Sequence, residues 1–396
     1  MFKTYSTGTG RTERGQRKMM TVIIIHSVLL VALSTTTPCP SCGQKLRPDQ
    51  WRRHLAFCAP DLLDPDGWAA GDQAVVLRQI DALHRKNSPE RKALHLRFGS
   101  DAITSQQELA DTMGWTDRRI RDAIAKLLHS IPPVGDEATA LRVVYEDESM
   151  IAVDKPAGVG VTPAHRWRGG SVLNQLCGHL QLGARDASKV PKPCHRLDLE
   201  TSGVLLYAKT SAAATALMTQ FEQRAVNKTY CALCTNPPTA EAIDAPICKV
   251  ENAEQAVRRT CDPGEAGGLA ARSTVSIIGV ADEPDADGDD AHGRALGRAC
   301  LVLVKPHHGR THQVRVHCAA LGAPLVGDGL YGGEAAVRTA KRASMTRHAL
   351  HALSIEIRHP TSGRRMSISA PLPTDMRKAA SALQVQSGAK LAEGRK

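Results

Sequence analysis

The sequence predicts an α+β protein: a sheet-bearing domain with flanking helices, preceded by a small zinc-finger and helical region. Three observations predict it. Runs with strand-like alternation or continuous apolar character recur from residue 141 onward, at 141–145, 150–154, 204–208, 226–233, 274–280 and 301–304. Apolar-periodic helical segments lie between them, such as the one that begins at Ser211 and carries Leu217, Met218 and Phe221. Ahead of them the character changes to a Cys/His cluster between Cys39 and Cys58, then to residues 61–135, which read as helical.

Composition bounds the function. A chain of 396 residues holds roughly two or three domains. Its net charge of +11, from 51 Lys and Arg against 40 Asp and Glu, points to a polyanionic partner, most simply a nucleic acid. Aromatics make up only 3%, which disfavours binding by rows of stacked bases. The 11 cysteines are odd in number and mostly lack paired spacing, which fits a reducing compartment.

Residues 1–38 read as a targeting or disordered segment. Lys3, Arg11, Arg14, Arg17 and Lys18 precede an apolar run from Met19 to Leu33. That run is shorter than the ~20 residues a membrane span needs, so no stable membrane association is expected of the mature form. A basic, Ser/Thr-rich start of this kind points to an organelle, plastid or mitochondrion, with cytoplasm or nucleus as the alternative. Residues 39–60 then show C-x2-C-x11-H-x3-C spacing. Cys39, Cys42, His54 and Cys58 supply four zinc-type ligands, the last two on one helical face, and resemble a C2HC zinc finger.

Within 61–135, Ser105-Gln106-Gln107-Glu108 is a capping box. From Gln106 to Ala125, Leu109, Ala110, Met113, Gly114, Ile120 and Ile124 fit a helix-turn-helix pattern, with Gly114 at the turn. Arg118, Arg119 and Arg121 fall on its second helix, where a recognition helix displays charge. Pro132-Pro133 and Gly135-Asp136-Glu137 form a linker.

The remaining chain, 140–375, reads as one catalytic domain. Two strands flank a turn at Glu146-Asp147-Glu148, and Lys155-Pro156-Ala157-Gly158 ends the second. Ser171 can cap a helix through Leu173, Leu176 and Leu180. In the strand 226–233, Lys228 and Tyr230 share a face. Cys231 and Cys234 face opposite ways there, which argues against a second zinc site. An acidic insertion at about 280–298 is expected to be a disordered hairpin turned from any RNA. The tail, 376–396, is basic and expected to fray.

The chain is organised around His195-Arg196-Leu197-Asp198-Leu199-Glu200-Thr201-Ser202-Gly203, followed at once by the buried run Val204–Ala208. A carboxylate on a loop beside a buried strand can be held still enough to react. This nonapeptide resembles the H-R-L-D-x-x-T-S-G signature of the RluA-type pseudouridine synthases. The stretch Tyr145-Glu146-Asp147-Glu148 through Val153-Asp154-Lys155-Pro156-Ala157-Gly158 resembles that family's entry. Lys228-Thr229-Tyr230 resembles its K-x-Y motif. Gly309-Arg310-Thr311-His312-Gln313-Val314-Arg315-Val316-His317 and Gly327-Asp328 through Tyr331-Gly332 resemble its G-R-T-H-Q-I-R-x-H and G-D-x-x-Y-G motifs, with Val314 in place of isoleucine. The segments His348–Ala352, His359-Pro360 and Ala370–Pro373 close the domain in the same manner.

The resemblance covers about 235 residues with the motifs in order. It implies a mixed, largely antiparallel sheet with flanking helices and a central cleft. It implies isomerisation of uridine to pseudouridine in ribosomal or transfer RNA, without a cofactor for catalysis; Zn2+ would serve only the N-terminal finger. The target uridine would be flipped out. Asp198 would act on the sugar carbon or the uracil ring, as nucleophile or base. Arg315 would be its ion-pair partner, with Arg310 the alternative. Tyr230 would wall in the base, with Lys228 beside it, and Arg196 would fill the vacated stack and hold phosphates. His195 would support the loop, and Thr201 and Ser202 would brace it by local hydrogen bonds. A monomer is expected. The usual accessory S4-type module is not recognisable, so the finger and helical region are candidates for choosing the site.

The rival reading is a nucleic-acid-binding regulator, or an RNA chaperone with a catalytically silent domain, in which Asp198 is structural. A Ser202/His195/Asp198 hydrolase fails, because all three crowd one loop and no G-x-S-x-G elbow surrounds the serine.

Overall fold

The structure is a computed structural model that describes residues 72–83, 88–98, 106–131, 133, 135–136, 141–163, 169–183, 186–250, 259–261, 267–282 and 297–387. The expected targeting segment, the zinc ligands Cys39, Cys42, His54 and Cys58, Ser105 of the capping box, and acidic residues 283–290 lie outside the described residues. The chain divides into two compact units, Met1–Leu128 with Val250–Val257, and His129–Lys249 with Arg258–Lys396. Among the described residues no helix is long and apolar enough to cross a membrane.

Four helices are described in and at the edge of the first unit: α1 (Asp72–Leu83), α2 (Pro89–Phe98), α3 (Gln106–Met113) and α4 (Asp117–Ser130). Val76, Ile80, Leu94, Phe98, Leu109, Ile120 and Ile124 are buried. Gly114 adopts φ +62 between α3 and α4, and the Trp115 N–H donates to the Ala110 carbonyl at 2.9 Å. A left-handed residue here closes the turn at no side-chain cost. The expected display of Arg121 needs correction. Arg121 is buried and ion-paired with Asp117, because it falls on the face of Ile124 and Leu128 at i+3 and i+7. Arg118 and Arg119 stay exposed, and Arg119 stacks over the Trp115 ring at 4.1 Å.

The second unit holds thirteen described strands: β1 (Val143–Glu146), β2 (Met150–Lys155), β3 (Lys192–Pro193), β4 (Ser202–Ala208), β5 (Asn227–Cys234), β6 (Ala242–Asp244), β7 (Cys248–Lys249), β8 (Arg259–Thr260), β9 (Arg272–Ala281), β10 (Cys300–Pro306), β11 (Leu350–Arg358), β12 (Arg365–Ser369) and β13 (Val385–Ser387). Eleven form one sheet of order β1-β2-β4-β11-β5-β10-β9-β13, with β12 on β11, β3 on β4 and β6 on β9; β7 and β8 pair apart. The pairings are antiparallel except β4 with β11, which run parallel through His351–Ser202 and Ala352–Gly203. The mixed, mostly antiparallel sheet is as expected.

That parallel pair sits mid-sheet, where consecutive hairpins cannot explain it. Gly203 makes it possible. It has φ +111, and a Cβ there would lie 2.2 Å from the Ala352 carbonyl oxygen. Only glycine permits this approach.

Helices α5 (Val172–His179), α6 (Ser211–Glu222), α7 (Gln313–Ala320), α8 (Gly333–Arg342) and α9 (Thr374–Ala382) flank the sheet. Ser171 caps α5 in a reciprocal box with Asn174. Strand parity sorts the core. Tyr230, Ala232 and Cys234 of β5 join the clusters containing Val314 and Cys318 of α7 and Leu173 and Leu176 of α5. Cys231 and Leu233 face the clusters of α8 and α9. The segment expected to fray from Met376 is ordered through Ser387. Met376, Ala379, Ala380 and Leu383 bury one face of α9 in that core, and β13 pairs with β9. The composition of the tail is basic, but its apolar residues keep helical spacing.

Candidate active site

A cleft of about 470 Å³ opens on the Tyr230 face of β5. The signature loop forms one wall, and residues 306–315, running into α7, form another. All seven expected catalytic and substrate-binding residues, His195, Arg196, Asp198, Lys228, Tyr230, Arg310 and Arg315, line it.

The loop is held by groups distant in sequence. Lys155, at the end of β2, is completely buried, and its ammonium donates to the carbonyls of Val159 at 2.7 Å, Leu199 at 2.8 Å and Pro156 at 2.9 Å. Burial pushes its pKa down to about 8. Three carbonyls replace its lost water, which makes the buried cation tolerable. From the other side, buried Arg347 donates to the Glu200 carbonyl at 2.9 Å and to Ser202 Oγ at 3.2 Å, while pairing with Asp375 at 2.8 Å. Thr201 Oγ1 lies 2.9 Å from His348 Nε2, and Ser202 Oγ lies 2.9 Å from His351 Nδ1. Burial drives His348 down to about 3 and His351 down to about 4, so both rings are neutral. The expected bracing by Thr201 and Ser202 is therefore real but not local. The parallel β4–β11 pairing carries it across about 150 residues. His195 acts as a brace: its Nε2 accepts the Leu206 N–H at 3.1 Å and its ring stacks on Phe221 at 5.2 Å. Burial lowers it to about 3, which keeps it neutral and unsuited to holding phosphate.

Asp198 sits at the mouth of this braced loop with its side chain 21% exposed. Arg315 Nη1 stands 3.7 Å and His312 Nε2 3.9 Å from it, and both approach Oδ2. Arg315 does face Asp198, but it is bound elsewhere. Its Nε and Nη2 donate to Asp328 at 2.7 and 2.8 Å in a bidentate fork. Asp328 is buried and also accepts the N–H groups of Leu330 and Tyr331. Against burial, Asp328 keeps Arg315 firmly charged. The Tyr331 ring lies 5.0 Å beneath its guanidinium carbon.

The remaining residues set polarity. Burial, then the charge of Asp198, raises the Tyr230 phenol, so it stays protonated. Lys228 Nζ donates to the His308 carbonyl at 3.1 Å, and burial lowers it to about 8. Arg310 Nε donates to the Ala270 carbonyl at 3.0 Å instead of reaching Asp198. Arg196 is exposed at the rim, beside Arg224, His307 and His308. The cleft thus has a cationic mouth, an aromatic wall and two carboxylates, exposed Glu222 at the end of α6 and Asp198 on the braced loop. This suits a nucleotide whose phosphates stay outside while its base enters. Lys155, Asp328 and Arg347 stood in quoted motifs or beside them, but spacing alone gave them no role.

Residues 149–320 match the family described as RNA pseudouridylate synthase. A ribosomal large subunit pseudouridine synthase D from Pseudomonas aeruginosa is 37% identical over 252 residues, covering 59% of this chain and 69% of that protein. The synthase of the same name from Vibrio parahaemolyticus is 30% identical over 289 residues, covering 70% and 76%. The solved structure of human RNA pseudouridylate synthase domain containing 1 superposes with a TM-score of 0.50 at 24% identity, covering 66% of this chain and 93% of that one, which supports the fold. With a relative 37% identical matched over 69% of its own length, the chain belongs to the RNA pseudouridylate synthase family and is an RNA-modifying isomerase.

Proposed function

We propose that this enzyme isomerises a flipped-out uridine of large-subunit ribosomal RNA, and that Asp198 is the group that acts on it. One observation carries the proposal. Asp198 is the cleft-lining carboxylate that stands 3.7 Å from the Arg315 guanidinium with its side chain 21% exposed, on a loop fixed from two sides by Lys155 and Arg347. The reaction breaks the bond between N1 and the sugar carbon, turns the uracil, joins C5 to the same carbon, and in net terms moves the C5 proton to the freed N1. Nothing is oxidised or reduced overall, so the residues need only bind, polarise and move a proton.

Asp198 attacks the sugar carbon or the ring, and Arg315 stabilises its charged form. Tyr230 stacks against the base and holds it through the turn. Arg196 takes the vacated place in the stack, with its guanidinium near the phosphates. Lys228 and Arg310 hold the phosphate side. The names of the relatives favour ribosomal over transfer RNA. From sequence spacing we also infer one zinc ion on Cys39, Cys42, His54 and Cys58, a choice of uridine made by residues 39–135, and an organellar destination for the mature, monomeric enzyme.

Incubating the full chain with large-subunit ribosomal RNA and with transfer RNA, then mapping pseudouridine by base, tests the substrate. Modification of one or a few ribosomal uridines is expected. Modification confined to transfer RNA contradicts the ribosomal assignment, and deletion of 39–135 with an unchanged map contradicts the role of that segment.

A further inference from the structure

His312 faces Asp198 but has no part in the reading above. Its backbone lies in the left-handed region, φ 58 and ψ 17, directly before α7. A residue with a side chain persists there only when its surroundings hold it. On one side, its Nδ1 is 2.7 Å from the Tyr331 hydroxyl, with the two rings edge to face at 5.7 Å. On the other, its Nε2 is 3.9 Å from Asp198 Oδ2.

The proton positions follow from the partners. The backbone N–H of Arg259 donates to the Tyr331 oxygen at 3.1 Å. An N–H can only donate, so the Tyr331 oxygen accepts there and its own proton is available to His312 Nδ1. Burial favours the neutral ring; the charge of Asp198 favours imidazolium, Arg315 and Arg259 oppose it, and the net direction is toward the neutral form. A neutral imidazole whose Nδ1 accepts must carry its proton on Nε2. That N–H then points at Asp198.

We propose that His312 is a positioning residue for Asp198, locked by Tyr331 as the Nε2–H tautomer so that it and Arg315 together hold Oδ2 and turn Oδ1 to the substrate. The separation of 3.9 Å is longer than a hydrogen bond, and contacts of this kind tighten when substrate fills a site. The inference rests on Asp198 being the reacting group; the tautomer itself does not.

Nitrogen-15 spectra of histidine-labelled enzyme at neutral pH test it, with the His312 signal assigned by its loss in His312→Gln. The expected spectrum shows Nε2 protonated and Nδ1 bare, and Tyr331→Phe shifts population toward Nδ1–H. A wild-type signal from Nδ1–H or from imidazolium overturns the proposal. Kinetics supply the second arm. Gln can place an amide N–H where Nε2 stands, whereas Asn places it where Nδ1 stands. His312→Asn is expected to lower kcat about 10- to 100-fold with KM for RNA little changed, and His312→Gln to recover most of the loss. A kcat for His312→Asn equal to wild type overturns the proposal, as does an equal loss in both variants. An active Asp198→Asn enzyme instead defeats the underlying reading and leaves the tautomer result standing.

Discussion

Two loops present an aspartate to Arg315, and they treat it in opposite ways. In the Gly327–Gly332 turn, Asp328 is buried, takes both prongs of the guanidinium at 2.7 and 2.8 Å, and accepts two backbone N–H groups besides. In the signature loop, Asp198 is partly open and sees the same guanidinium at 3.7 Å, through one oxygen. The fully buried carboxylate is closed to any substrate. The loosely held one, 21% exposed, is open to it. The cation is therefore anchored by one aspartate and offered to the other, which keeps the reactive group near a fixed positive charge without binding it.

The contrast breaks most severely at the anchor. Asp328→Asn leaves a buried guanidinium without its counter-charge, and about 3 kcal/mol of stability should be lost. Chemical denaturation of the full chain reads this; a loss under about 0.5 kcal/mol would mean that Asp328 does not anchor Arg315. Turnover should fall about 100-fold as Arg315 drifts from Asp198.

The loop side sharpens the contrast at Arg347. Arg347→Lys keeps the charge but loses the fork that reaches Glu200 and Ser202 together. A fall of about tenfold in kcat is expected, with RNA binding little changed, because the lysine leaves the cationic mouth intact. A rise in KM alone would place Arg347 in RNA binding instead.

The effect mildest at neutral pH is on stability alone and emerges only in acid. His348 and His351 have folded pKa values lowered to about 3 and about 4 by burial. Between those values and the ordinary ~6.5 the unfolded chain binds more protons than the folded one. Stability is thus complete above about pH 6.5 and lost as pH falls below it, by up to about 1.4 kcal/mol per pH unit for each histidine. Denaturation midpoints between pH 7 and 4 should fall along that slope, and His348→Gln should flatten it.

How much of this was legible in the sequence follows from the same contrast. The signature, the shared face of Lys228 and Tyr230, the Ser171 cap and the facing of Arg315 toward Asp198 are local patterns or motif matches, and each occurs in the structure. The supports were not legible. Arg347 meets Glu200 only because β4 lies parallel to β11, and that pairing depends on how Gly203 approaches Ala352. Lys155 looked like the end of a strand, since nothing in its neighbours reveals three carbonyls arriving from two loops. Arg121 looked exposed because a charge on an amphipathic helix usually is, and an i,i+4 aspartate allowed it to be buried.

The most direct test of the account replaces Asp198 with Asn and follows single-turnover pseudouridine formation alongside RNA affinity in the same preparation. The side chain keeps its size and loses its charge and nucleophilicity. Turnover at least about 10³-fold below wild type, with affinity within about threefold, is the predicted result. Turnover within tenfold of wild type would contradict the claim that this carboxylate performs the reaction.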